Sequence, residues 1–136
     1  MAKLVPPHGS KELKPLLLQG KQLEEEVKKA QRLKKVPMTS RETSDLIMMG
    51  IGAFTPLDAF MGFDDWKGCC DAYSMPTKNY LFWPIPITLS AEESLADSIK
   101  IGEEVALWDT ETESIMGTMK ITEKYRIEKE FECKQI

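Results

Sequence analysis

The stretch Asp45–Trp66, DLIMMGIGAFTPLDAFMGFDDW, constrains the fold more than any other part of the chain. Leu46, Met49, Gly50, Ala53 and Phe54 recur at helical spacing, and Ile47, Met48 and Ile51 make the opposite side apolar too. A surface helix keeps a polar stripe, so the pattern predicts a helix buried from several sides. Asp45, or Ser44 before it, is placed to cap the first amides. Gly50 and Gly52 allow close backbone approach near the helix end. Thr55-Pro56 breaks the period, and Pro56 suits the first turn of a short second helix carrying Leu57, Phe60 and Met61. Gly62 then lets the chain turn, with Phe63 and Trp66 packing back. On these residues alone the stretch is core, without chemistry of its own.

The chain before this stretch reads as helical. Leu13, Leu16 and Leu17 predict a helix over Lys11–Gln19, ended by Gly20, with Pro15 early enough to be tolerated. Leu23, Val27, Ala30 and Leu33 form a thin apolar stripe on an amphipathic helix over Gln22–Lys35. Its glutamates lie near the start and its lysines near the end, as the helix dipole favours. Val36–Ser40 is expected to be extended, because Pro37 disfavours helix at Val36.

After Trp66 the helical pattern continues to Tyr73, packing through Cys69 and Cys70, and SMPTKN at Ser74–Asn79 is a turn-rich connection. The period then changes. Leu81, Trp83, Ile85, Ile87 and Leu89 alternate as in a strand, whose edge Pro84 and Pro86 strip of donors. Ala91–Ile99 is a short helix with Ser90 and Glu93 at capping-box spacing. Glu104–Trp108 and the alternating run from Ile115 to Ile127 read as a hairpin around the polar loop Thr110–Ser114. Phe131–Ile136 is read as one more strand, and its abrupt end as that of a piece from a longer chain. The fold class is α+β, helices first and a small, mostly antiparallel sheet or barrel second, in a single domain over residues 1–136.

Chemistry is sparse. His8 is the single histidine, set between Pro7 and Gly9, and reads as a hydrogen-bonded turn residue. Asp64-Asp65 and Glu92-Glu93 read as helix-start residues. No glycine loop carries the Lys-Ser/Thr of a phosphate cradle, and no metal-ligand set is spaced for binding. Catalytic, cofactor-binding and metal residues are therefore none. The net charge of −4 opposes nonspecific nucleic-acid binding, which rests on neutralising phosphates. No apolar run approaches the roughly 20 residues that span a bilayer. Three cysteines without a CxxC pair, and no secretory leader in MAKLVPPHGS, point to the cytoplasm.

GAFTPLDAFMGFDDW at Gly52–Trp66 resembles the GAFSPLxGFMxxxDY signature of the N-terminal domain of sulfate adenylyltransferases, the ATP sulfurylases. LVPPHGS at Leu4–Ser10, FWPIPITL at Phe82–Leu89 with SAEES after it, and GEEVALWD at Gly102–Asp109 agree in the same order. The likeness covers most of the chain and is greatest to enzymes of bacterial sulfate reducers. Ala59 departs from a usual glycine, and Tyr80-Leu81 from a common DG turn. The resemblance implies a PUA-like barrel with an N-terminal helical part. It implies an enzyme that joins Mg-ATP and sulfate into adenosine 5′-phosphosulfate and pyrophosphate. The family's catalytic QxRNPxHxxHE-type segment belongs to the next domain and has no counterpart here, so no catalytic residue carries over. What carries over is packing on that catalytic domain and within a homo-oligomer. The positions implied for fold and interdomain packing are Gly52, Phe54, Pro56, Leu57, Phe60, Met61, Trp83, Pro84 and Pro86. The competing expectation is a free-standing PUA-like RNA-binding module, which the acidic balance opposes.

Overall fold

The computed structural model describes residues 4–135. In chain order its elements are α1 (Gly20–Ala30), β1 (Lys34–Met38), α2 (Ser40–Gly50), α3 (Phe63–Ala72), β2 (Ser74–Met75), β3 (Leu81–Phe82), α4 (Glu93–Ser98), β4 (Glu104–Asp109), β5 (Ser114–Lys120) and α5 (Lys129–Gln135). The architecture is α+β. Among the described residues the strands form a three-stranded sheet, β1-β4-β5, and a two-stranded one, β2-β3, without closing into a ring. Both hairpin pairings are antiparallel, whereas β1 lies parallel to β4, from Lys34 opposite Val105 to Met38 opposite Asp109.

Strand β1 alternates as a half-buried edge should: Val36 and Met38 are buried, and Lys34, Lys35 and Pro37 face out. Pro37 is tolerated because an edge strand does not pair on both sides. Lys35 places its ammonium 5.1 Å from the centre of the Trp108 ring. The β4–β5 hairpin is the one read from the sequence. Asp109 closes its loop, accepting from the Thr112 hydroxyl at 2.6 Å, the Thr112 amide at 3.2 Å and the Thr43 hydroxyl at 3.1 Å.

Helix α2 differs from the expectation of all-round burial. Met49 is buried and Leu46 half-buried, but Ile47, Met48 and Ile51 are exposed. Its N-terminus is set earlier than Asp45, by a capping box of Thr39 and Glu42. Its end is set by Gly52, whose φ of +83° only glycine adopts cheaply. Residues 13–18 are not helical. Pro15 lacks a donor, and the neighbouring amides bond the end of α2 and the loop after it instead: Leu16 to the Gly50 carbonyl at 2.9 Å and Lys14 to the Thr55 hydroxyl at 3.0 Å. Gly20 accordingly opens α1 rather than ending a helix before it, and α1 stops at Ala30 so that Lys34 and Lys35 enter β1.

Three further readings change. Pro56 follows a cis peptide bond and starts no helix; helical structure resumes at Phe63. Of Leu81–Leu89 only Leu81 and Phe82 pair as strand, because Pro84 and Pro86 cannot donate to a ladder. The run to Ile127 leaves the sheet at Lys120, and Phe131–Gln135, read as strand, is helical in α5; Ile136 lies outside the described residues. Helical geometry at α5 lets the Phe131 ring meet Trp66 at 6.0 Å while Glu132 accepts from the Trp66 indole N–H at 2.6 Å.

Two buried clusters make the core. Val36, Met38, Ile99, Val105, Leu107 and Ile121 pack under the three-stranded sheet, and Met49, Leu57, Met61, Cys69, Met75 and Ile87 pack around α3. Leu46 and Phe60 touch both.

Candidate functional site

Two of the segments that carried the resemblance, Gly52–Trp66 and Phe82–Leu89, meet in the second cluster, while Gly102–Asp109 gives Val105 and Leu107 to the first. Leu57 and Met61 are buried in the second cluster, and Phe54, Phe60 and Trp83 pack against it half-buried. Gly52, Pro56 and Pro86 are buried, whereas Pro84 is exposed. The loop after α2 and the proline segment are stitched together directly. The Met61 amide donates to the Ile87 carbonyl at 2.8 Å, and the Ile87 amide lies 3.4 Å from the Met61 sulfur. Phe54 meets Trp83 edge to face at 5.7 Å. His8 reaches across the same seam, its Nε2 2.7 Å from the Phe82 carbonyl, in a turn as expected. Gly68 permits the approach of α3 to β2, since a Cβ there would stand 2.3 Å from the Ser74 carbonyl oxygen.

An anion site needs unengaged cations that converge, and the described arginines do not converge. Arg41 donates to Asp45 at 2.8 Å and Arg126 pairs with Glu93, while Arg32 is exposed just after α1. A groove of about 400 Å³ lies between α1 and β5, lined by Gln22, Glu25, Glu26, Lys29, Glu104 and Thr118. Its charges answer one another. Lys29 stands 2.7 Å from both Glu104 and Glu26. Hydrogen bonding to Glu104, then to Glu26, holds the Lys29 ammonium above its ordinary range, and hydrogen bonding to Lys29 holds Glu26 below its own. Among the described residues no three His, Cys, Asp or Glu side chains gather as a metal set. No described helix is long and apolar enough to cross a membrane.

The thiols split by burial. Burial, with the Asp65 carboxylate nearby, pushes Cys69 up to about 12, and burial raises Cys70 as well, while Cys133 is exposed on α5.

Some organising residues escaped the sequence reading. Glu42 is fully buried and its carboxylate accepts from the Thr39 amide at 2.9 Å and the Ser90 hydroxyl at 2.8 Å, with the Ser90 amide on the same oxygen. The Thr39-x-x-Glu42 spacing is the signal that finds it. Ser90 serves this carboxylate and does not cap α4, whose N-cap is Glu92. Tyr125, whose phenol burial pushes up, donates to the Met61 carbonyl at 2.6 Å. No local pattern marks that contact, because its partner lies 64 residues away.

A family model described as a PUA-like domain matches residues 5–136. The chain belongs to the PUA-like domain family. This PUA-like domain is 66% identical over 137 residues to the sulfate adenylyltransferase of Syntrophobacter fumaroxidans, covering 100% of the chain and 33% of that protein. It is 60% identical over 136 residues to the sulfate adenylyltransferase of Thiobacillus denitrificans, again 100% of the chain and 33% of the relative. The chain thus spans about one third of the length of these relatives. Among solved structures, a hexameric APS kinase from Thiobacillus denitrificans is similar with a TM-score of 0.77 at 27% identity. That match covers 92% of this PUA-like domain and 24% of the kinase chain.

Proposed function

We propose that the chain is the N-terminal PUA-like domain of a cytoplasmic sulfate adenylyltransferase. On this reading it packs on the catalytic domain and within a homo-oligomer, and serves sulfate activation without converting substrate itself. The observation that carries this is a pairing of close relation with small coverage: 66% identity to a sulfate adenylyltransferase over only 33% of its length. A similar fold in 24% of a hexameric APS kinase chain supports a role as a shared module rather than as the centre of either chemistry. The side chains agree with that reading. Mg-ATP and sulfate are anions whose transition state concentrates negative charge and needs convergent donors. Here Arg41 and Arg126 are committed to carboxylates, and His8 is tied to the Phe82 carbonyl. Mg-ATP is therefore handled by the catalytic domain. Of the residues implied for packing, Leu57, Phe60 and Met61 hold the fold from inside, while Trp83 and Pro84 reach the surface where a neighbouring domain can meet them.

The test is pyrophosphate release from Mg-ATP with sulfate. The chain alone is expected to give none, and the chain joined to the catalytic two-thirds of the Syntrophobacter fumaroxidans relative is expected to give turnover. Turnover by the isolated chain would overturn the reading, as would a salt-sensitive shift of labelled RNA by it.

A further inference from the structure

We propose that the outer edge of β5 takes up an extended segment of another protein, with alternating basic and apolar side chains, as an added strand in the groove beside α1.

The ladder shows which backbone groups are free. The Ile121 amide donates to the Glu103 carbonyl at 2.8 Å, one step beyond the pairing of Lys120 with Glu104, so Ile121 and Glu103 form a hydrogen-bonded pair. In an antiparallel ladder such pairs alternate with pairs whose amides and carbonyls turn away. The register sets Met119 opposite Val105, Thr118 opposite Ala106 and Gly117 opposite Leu107. Gly117 and Met119 therefore bond β4, whereas Thr118 and Lys120 present their amides and carbonyls to the outer edge. Among the described residues no backbone group takes them up. An unpaired edge is a template for another strand. The other edge of the sheet is not equivalent, because β1 carries Pro37, which has no amide to give. On β5 the irregularity in pairing lies beside Leu107 and Trp108 and leaves residues 117–120 regular.

The groove selects the occupant. It measures about 400 Å³ and is lined by Thr118, Met119 and Lys120 in succession. Successive side chains of a strand point to opposite faces, so a groove touched by all three runs along the edge. Helix α1 forms one wall and is fixed there, with Glu26 accepting from the Thr118 hydroxyl at 3.0 Å and Lys29 bridging to Glu104 at 2.7 Å. A helix beside the edge leaves room for one strand, not for a second copy of the sheet with its own α1. Lys29 answers Glu26 and Glu104, but Glu25 has no ion-pair partner among the described residues. A basic side chain facing α1 complements Glu25, and an apolar one facing the other way meets Met119. Main-chain bonds then supply affinity and the alternating side chains supply selectivity.

The probe is an acetylated hexapeptide amide alternating Lys and Val, followed by NMR amide exchange. In the free chain the Thr118 and Lys120 amides should exchange fast while those of Gly117 and Met119 stay protected. The peptide should slow Thr118 and Lys120 several-fold, both in this chain and in the chain joined to the catalytic two-thirds of the Syntrophobacter fumaroxidans relative. Lys120→Pro removes an outward amide and no bond to β4, and should weaken binding on the order of fivefold, the worth of one net hydrogen bond. Glu25→Lys leaves the edge intact and should turn the preference toward a peptide alternating Glu and Val. No added protection up to the solubility limit of the Lys-Val peptide overturns the proposal. Equal protection by a peptide with its lysines in one block and its valines in another overturns it as well, because charge alone then suffices. Slow exchange at Thr118 and Lys120 without peptide also overturns it. In a dimer of the free chain, such protection would give the edge to a second copy; in the joined protein alone, to the rest of that enzyme.

Discussion

Glu42 shows how much one buried carboxylate can organise. Its carboxylate accepts from donors at two places, the start of α2 and the loop before α4, where Ser90 lies 48 residues further along the chain. Glu42→Ala would leave the Thr39 and Ser90 amides without their acceptor in a dry site, a loss of about 2–3 kcal/mol in urea denaturation. Glu42→Gln keeps the acceptor of a capping box and should cost less. Asp109 is read through pH. The Thr112 hydroxyl, foremost among its donors, holds its carboxyl below the ordinary value. A depressed carboxyl adds stability that is fully present above its unfolded value near pH 4, and that is lost as pH falls through the lower folded value. Thr112→Val should move the Asp109 midpoint, followed by NMR, back toward the ordinary range. The thiols give a simpler measurement. Only Cys133 should react with a thiol reagent in the native protein, and Cys69 and Cys70 only after denaturation, because burial keeps both protonated and out of reach. At this scale the sequence was informative wherever the cause was local. The turn role of His8 and the small buried pair Cys69-Cys70 were legible. Glu42 was missed although its spacing was visible, since the richer apolar run after it drew the helix start to Asp45.

Among the elements, legibility followed how far each one's partners lie along the chain. The β4–β5 hairpin joins neighbours, and its alternation and loop sufficed to place it. Lys11–Gln19 had a helical pattern of leucines, but its amides are claimed by Gly50 and Thr55, which no window of sequence contains. Leu81–Leu89 alternated cleanly, yet a strand is a matter of partners, and two prolines leave it only two paired residues. Phe131–Gln135 was too short for period alone to separate helix from strand. The tether of α5 decided it. Trp66→Phe keeps the ring packing against Phe131 but removes the donor to Glu132, so α5 should loosen while α3 holds. Amide exchange over residues 129–135 should then accelerate well beyond that over 63–72; equal acceleration would mean that the indole supports the whole second cluster.

The whole molecule is two clusters sharing two side chains. Leu46 reaches from α2 and Phe60 from the loop beyond it, and each touches the sheet cluster of Val36 and Leu107 as well as the α3 cluster of Met61 and Cys69. Clusters this small are marginal alone, because a small core buries too little apolar area to offset chain entropy. Their cooperativity therefore runs through Leu46 and Phe60. Phe60→Ala should cost about 3 kcal/mol or more, as truncation of a core aromatic does, and somewhat less if its half-exposed edge is counted. The sharper expectation concerns coupling rather than magnitude. Trp108 lies on β4 beside the sheet cluster and Trp66 on α3 beside the other, so variants that keep one of these tryptophans report each cluster separately. In the parent chain both should follow one urea transition. With Phe60→Ala the two midpoints should separate, the α3 side melting first, since of the two apolar side chains shared with the sheet cluster only Leu46 then remains. Midpoints that stay together in that variant would place the coupling elsewhere, in the Glu42–Ser90 or Tyr125–Met61 hydrogen bonds that also cross between the halves.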